Sequence, residues 1–502
     1  GHHRYIHCFP TRRSSDLRKM QDSLVSTFEK EIMECDRLAL HSELLHFYST
    51  ELINNYINAG AYSLIKNIGI ELQMKSKQKT IKARENNKNI QIALLYLIET
   101  NLFLTLNRGR KIPSLKDIEK FVAFSHWLVT LQNQSDLCFH TSADTHFIVS
   151  DDYRVSVELG KEFEQHLSEV KYRQYESDIY EILGDDIDKK YFEKVSNGFI
   201  EDTGLDMKIL EIVLCQLMEF SFVKENVNFS EIKPNVVRVK KEDAILDMSA
   251  FSVEPVSTQM VQKVYEYLTI DPASLKSTSD CEHKVLPVWE RKQRPIRFDL
   301  KPLLLEDDNY IYSPVSIREL RSRLINGWLQ FYPPYETGLD NTLSALWDWK
   351  ERYEKQFSNH VRDFFRSLNY CFVESDIELH RFDRKGSHPN NLGDYDVIAL
   401  DKVGRKLFII ECKVIQPVGS VYEQSMQQKG FFEQNKYDEK FQKRIDYFSS
   451  NFRGFFINLE YELSDNEYKI IPLMVVNKVF DSYYKKIAFP IITFDELKKL
   501  IS

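Results

Sequence analysis

Residues 393–413 read GDYDVIALDKVGRKLFIIECK, and three ionisable side chains stand there in what is otherwise sheet-core sequence. Residues 407–410 (LFII) form an apolar run of strand type that continues into Glu411 and Lys413. The period-2 spacing of these two puts both side chains on one face, while Cys412 points to the other. Burying a carboxylate and an ammonium costs several kcal/mol unless they pair or bind a metal, so a strand ending this way needs a reason. Upstream, Asp394, Tyr395 and Asp396 lead into residues 397–400 (VIAL), and residues 401–406 (DKVGRK) supply the turn of a β-hairpin. Folding it back sets the start of the first strand beside the end of the second. Asp396 then lies near Glu411 and Lys413.

The flanks extend the pattern. Residues 348–368 place Tyr353, Phe357, Val361, Phe364, Phe365 and Leu368 at helical spacing, which predicts an amphipathic helix. A strand is expected over residues 370–379 (YCFVESDIEL), then a polar loop over 381–392 (RFDRKGSHPNNL). After the hairpin, residues 421–449 read as helix, 468–476 and 490–493 as strands, and 494–501 as a closing helix. The acid after a glycine, the apolar run and the Glu-Cys-Lys triplet, in this order between helices, resemble the PD-(D/E)xK nuclease superfamily in its Mrr-like GxxD…ECK form. The resemblance covers the C-terminal third, and it implies a restriction-endonuclease-like α/β domain with an αβββαβ core over residues 345–502.

By that resemblance, Asp396 and Glu411 are metal ligands and the backbone carbonyl of Cys412 is a third. The cofactor is Mg²⁺, with Mn²⁺ as a substitute, and Lys413 orients a water and offsets charge on the phosphate. The implied reaction is phosphodiester hydrolysis. The superfamily often adds a helix-borne glutamate, for which Glu354 is the candidate, although the helix pattern puts Ser358 at the expected place, one turn away. Gln424, Gln427, Gln428 and Gln434 compete for a further glutamine position. Arg381, Arg384 and Lys385 make the polar loop basic and suit phosphate contacts, or else a solvated loop, and His388 in the same loop suits a phosphate contact or proton shuttle, or else a solvent-exposed position. Glu411 and Lys413 have a plainer alternative as a salt-bridged strand end, with Asp396 as a turn-adjacent acid.

The chain has 502 residues, 43% of them hydrophobic, which predicts more than one domain. A formal net charge of -8 excludes a uniformly basic nucleic-acid coat, so binding would use local patches. Seven scattered cysteines without a CxxC pair argue against a disulfide framework or zinc ribbon and suggest a reducing cytoplasm. Residues 90–106 are the most apolar long segment, but Glu99, Thr100 and Asn101 interrupt it, so a buried helix is expected rather than a membrane span. Residues 9–17 (FPTRRSSDL) look like the in-frame translation of a sequencing-library adapter; residues 1–17 are therefore set aside, with Met20 as a candidate start.

Residues 18–183 read as a helix-rich domain, with helices over 24–58, 90–106 and 114–131, a capping pair at Ser114 and Asp117, and a hairpin over 146–157. Residues 75–88 (KSKQKTIKARENNK) are strongly basic and suit nucleic acid or a solvated helix. Residues 184–285 read as a small mixed α/β or helical module, either a winged-helix-like reader or a packing unit. Residues 286–344, with PVWERKQRPIRFDLKP at 287–302, read as a connector. The fold expectation is a multidomain α+β chain. Two functions follow: a Mg²⁺-dependent nuclease acting on nucleic acid, with DNA favoured, in restriction, defence or repair; or a non-catalytic module binding nucleic acid or protein. The resemblance leaves open a homodimer or a defence-system partner, and it calls for no membrane.

Overall fold

A computed structural model describes residues 4–7, 25–65, 70–104, 108–140, 145–149, 155–176, 189–219, 235–251, 256–275, 286, 288, 291, 294, 296–329, 331, 338–378, 392–416, 418, 421–459, 461–463, 467–482, 485 and 487–501. The chain is mixed α+β and rich in helix. It divides into two compact units, one of residues 9–135 and 193–345, the other of residues 1–8, 136–192 and 346–502.

In the first unit, the helices Arg37–Ile65, Ile70–Phe103 and Leu115–His140 supply one core, with Leu44, Tyr48, Leu97, Phe121 and Leu128 buried. Ser114 and Asp117 cap the third helix reciprocally: Ser114 N–H donates to Asp117 Oδ2 at 2.9 Å, and Asp117 N–H to Ser114 Oγ at 3.3 Å. Glu99, Thr100 and Asn101 are wholly buried, as the expected buried helix requires, and no helix among the described residues is long and apolar enough to cross a membrane. The basic residues 75–88 lie on the Ile70–Phe103 helix.

The same core takes in Ile270, Leu286, Phe298, Leu304, Ile311 and Val315. Where the sequence reads a separate module and a connector, a four-stranded sheet joins them: Val237–Lys240 pairs with Asn309–Tyr312, which pairs with Leu303–Glu306, which pairs with Thr269–Ile270. Asp307 and Asp308, at φ of 45° and 61°, make the tight turn between two apolar strands. A two-residue turn with both φ values positive matches the twist of a hairpin, and aspartate tolerates that region better than most residues.

In the second unit, the backbone of Arg4–His7 pairs antiparallel with Thr145–Val149, the first strand of a hairpin completed by Val155–Leu159. Arg4–His7 falls in the stretch set aside from the sequence. An edge strand offers unpaired backbone groups that an extended segment of almost any sequence can satisfy. The helix Lys161–Glu176 carries His166, Val170 and Arg173 on one face toward this unit. His166 Nε2 lies 2.7 Å from Asp481 Oδ1, and Arg173 grips Glu496 with two bonds of 2.7 and 2.9 Å.

The rest of this unit is built on α1 (Asp340–Ser367), whose first turn belongs to the other unit, β1 (Phe372–Ile377), β2 (Tyr395–Asp401), β3 (Lys406–Lys413), α2 (Val421–Lys429), α3 (Tyr437–Asn458), β4 (Lys469–Val476), β5 (Ile491–Thr493) and α4 (Phe494–Ile501). The sheet order is β5-β4-β3-β2-β1. The first three strands are antiparallel neighbours, and β4 and β5 add in parallel. Phe357, Val361 and Phe365 of α1 pack on the face showing Val397, Ala399, Phe408, Ile410 and Cys412. Phe441, Ile445 and Phe448 of α3 pack on the face showing Ile398, Leu400, Leu407 and Ile409. Glu411 continues the α3 face. A sheet buried on both faces explains why β3 reads as a continuous apolar run.

Candidate active site

The hairpin register runs from Lys406 opposite Asp401 to Ile410 opposite Val397. One further step sets Glu411 across from Asp396. The junction is closed by Cys412 N–H, which donates to Asp396 Oδ2 at 2.7 Å. Gly393, three residues before Asp396, sits at φ +76°, a region that suits glycine, and a Cβ there would meet Arg444 Nη1 at 3.4 Å.

Glu411 is only 2% exposed. Its Oε1 lies 2.8 Å from Lys413 Nζ and its Oε2 lies 2.7 Å from Arg444 Nη2. Arg444 comes from the inner face of α3 and is buried. Its Nη1 donates to the carbonyl of Asp394 at 2.5 Å, while its own carbonyl accepts from the Tyr395 hydroxyl at 3.0 Å. Lys413 Nζ also stands over the Tyr437 ring, 5.1 Å from its centre. Two carboxylates and two cations therefore meet where β2 begins and β3 ends.

The electrostatics follow from burial and adjacency. Burial first, and then the neighbouring Glu411, push the carboxyl of Asp396 up to about 7. Burial works against the charge on Lys413, but Glu411 and Asp396 outweigh it and hold its pKa above the ordinary lysine value. Lys413 is thus a cation at neutral pH. On the other sheet face, burial and then Asp396 raise the Cys412 thiol well above its usual range, against a hydrogen bond from Ser358. A thiol so held stays protonated and unreactive.

The structure brings together Asp396, Glu411 and Lys413 and adds Arg444. Glu354 lies on α1, where its Oε1 is 3.5 Å from Lys350 Nζ one turn back, and its carbonyl accepts from Ser358 Oγ at 3.2 Å. Gln424 hydrogen-bonds Asp481 Oδ2, Gln428 donates to the Asp481 carbonyl at 2.9 Å, and Gln427 to the Gln416 carbonyl at 2.6 Å. Arg381, Arg384, Lys385 and His388 lie outside the described residues. Arg444 had one sequence signal, a cation inside the apolar stripe of Phe441, Ile445 and Phe448.

Whether these residues suit a metal is a question of donors. Among the described residues no group of three or more His, Cys, Asp or Glu side chains gathers, so an ion here would rest on two carboxylates and a carbonyl. That set is poor for structural zinc, which takes four nitrogen or sulfur ligands, and adequate for Mg²⁺, which keeps several waters and takes one or two carboxylates. Glu411 Oε2 supports the fit. It is buried and paired by charge with Arg444 Nη2 at 2.7 Å, and among the described residues no further group ties it down. Comparison with known protein families, curated proteins and solved structures finds no match for this chain.

Proposed function

We propose that the chain is a metal-dependent nuclease of restriction-endonuclease-like fold that hydrolyses phosphodiester bonds, with DNA as the favoured substrate, in restriction, defence or repair. The observation that carries this reading is the meeting of Asp396, Glu411 and Lys413 at one end of a hairpin, with Lys413 Nζ 2.8 Å from Glu411. The order of helix, three antiparallel strands, helices and parallel strand supports it. A bound Mg²⁺ would supply polarisation of the scissile phosphate and a lowered pKa for a water. Asp396 and Glu411 would hold the ion, with the Cys412 carbonyl as a third donor. Lys413, cationic at neutral pH, orients the attacking water and offsets charge on the phosphoryl oxygens rather than acting as a base. The Cys412 thiol takes no part.

One observation favours a second reading. Both oxygens of Glu411 already face cations, which also suits a buried ion cluster in a non-catalytic module binding nucleic acid or protein. Incubation with supercoiled plasmid, linear duplex, single-stranded DNA and RNA, in Mg²⁺ or EDTA, separates the two. Cleavage in Mg²⁺ that disappears in EDTA and in Asp396→Ala is the expected result. Equal survival of every substrate with wild type and variant supports the binding module.

A further inference from the structure

We propose that Arg444 is a positioning residue that serves as the site's resident counter-cation, holding Glu411 before a divalent ion arrives and setting how much Mg²⁺ the site requires. This rests on Asp396 and Glu411 being the metal ligands.

Three observations carry it. First, the guanidinium is anchored independently of the carboxylates, by its bond to the Asp394 carbonyl at 2.5 Å and by the Phe441 ring, whose centre lies 5.6 Å from Cζ. It stays beside the site whatever Glu411 does. Second, its contact with Glu411 is made through one nitrogen, Nη2 to Oε2 at 2.7 Å, and Nε adds no second bond to the carboxylate. A bidentate arginine–carboxylate fork would resist exchange far more strongly. Third, two cations already stand at the two acids. Lys413 Nζ and Arg444 Nη2 contact Glu411 beside Asp396, so an incoming divalent ion meets fixed positive charge instead of a bare pair of carboxyl groups. Arginine keeps its proton at every pH at which the protein is folded, so the repulsion is permanent. At contact distances, in a partly buried setting, the repulsion of a fixed cation is large against thermal energy.

The consequence is a direction that a plain structural strut would not produce. Removing the charge of Arg444 tightens ion binding instead of weakening it. The test is calorimetric titration of Mg²⁺ into the full chain without nucleic acid, read beside the Mg²⁺-induced shift in melting temperature. Arg444→Gln is expected to bind Mg²⁺ about tenfold more tightly than wild type, or tighter still, and to gain more melting temperature on adding the ion. Arg444→Lys retains the charge and is expected to keep wild-type affinity. Equal or weaker binding by a folded Arg444→Gln overturns the proposal, while loss of wild-type binding in Asp396→Ala leaves the ligand assignment standing. If Arg444→Gln does not fold, Arg444→Lys decides: undiminished affinity upholds the proposal, and lost binding marks a strut and overturns it. Absence of Mg²⁺ binding to wild type overturns both this proposal and the ligand assignment.

Discussion

The first unit and the sheet unit each bury a cluster of charges, and a pair of aspartates shows how differently they do it. In the first, Glu99 is wholly buried between Arg294 and Arg291 and accepts from Phe298 N–H at 3.0 Å. Arg291 reaches on to Asp299 at 3.1 Å, and Arg323 bridges Asp299 and Glu319. Burial works against the Asp299 carboxylate, but Arg291, Arg323 and Arg297 outweigh it and hold its pKa well below the usual range. In the sheet unit, burial and Glu411 drive Asp396 the other way. Acids answered by arginines cement a fold, whereas a carboxylate set beside another carboxylate carries a cost that a ligand can remove. The two aspartates are thus shifted in opposite directions by the charges set around them.

The sharpest way to break that comparison is to delete one acid from each cluster. Glu99→Ala removes the buried acid that Arg294 and Arg291 both face and is expected to destabilise its unit by about 3–5 kcal/mol in urea unfolding. Asp396→Asn relieves like-charge repulsion and is expected to leave stability level or raised. Equal losses in the two variants would erase the distinction. Next in size, Lys413→Met is expected to slow Mg²⁺-dependent cleavage by about 10²–10³-fold while the protein stays folded.

A smaller effect concerns His41, whose ring is wholly buried, lies edge-on to Phe298 at 5.8 Å and has no hydrogen-bond partner on either nitrogen among the described residues. Burial, and then Arg37, push its pKa down to about 3. The unfolded chain therefore takes up the proton first, and stability is lost as pH falls below about 6.5. Between pH 7.5 and pH 5 the loss from this group is expected to reach about 2 kcal/mol, and His41→Leu is expected to remove that share of the pH dependence. Smallest is Tyr395→Phe, which deletes the bond to the Arg444 carbonyl and is expected to cost about 1 kcal/mol without altering which ions support cleavage.

Much of the sheet unit was legible because its signals are local. Residues 468–476, 490–493 and 494–501 match β4, β5 and α4 closely, and the hairpin register follows from the turn and the two apolar runs that flank it. The helix expected over 348–368 begins earlier, at Asp340, where Asp202 accepts from Asn341 N–H at 3.2 Å and Thr342 N–H at 2.8 Å and so caps it from a distant segment. Distance in sequence also hid the first unit's plan. Arg291 and Arg294 look like connector charges until Glu99, which meets Arg294 across 195 residues, is seen to bury them. Arg444 escaped for a related reason. Nothing in YDEKFQKRIDYF says which of Lys440, Lys443 and Arg444 will face a carboxylate, although helical spacing singles out Arg444 as the one on the apolar side.

The central claim, that the charges at the end of the hairpin form a reactive site rather than a strut, is tested most directly by one rate comparison. Supercoiled plasmid is incubated at saturating Mg²⁺ with wild type and with Asp396→Asn, both checked by the same thermal melt. The expected result is cleavage by wild type and a loss of about 100-fold or more in the variant, with its melting temperature undiminished. Equal rates in the two proteins, or activity lost only together with the fold, would contradict it.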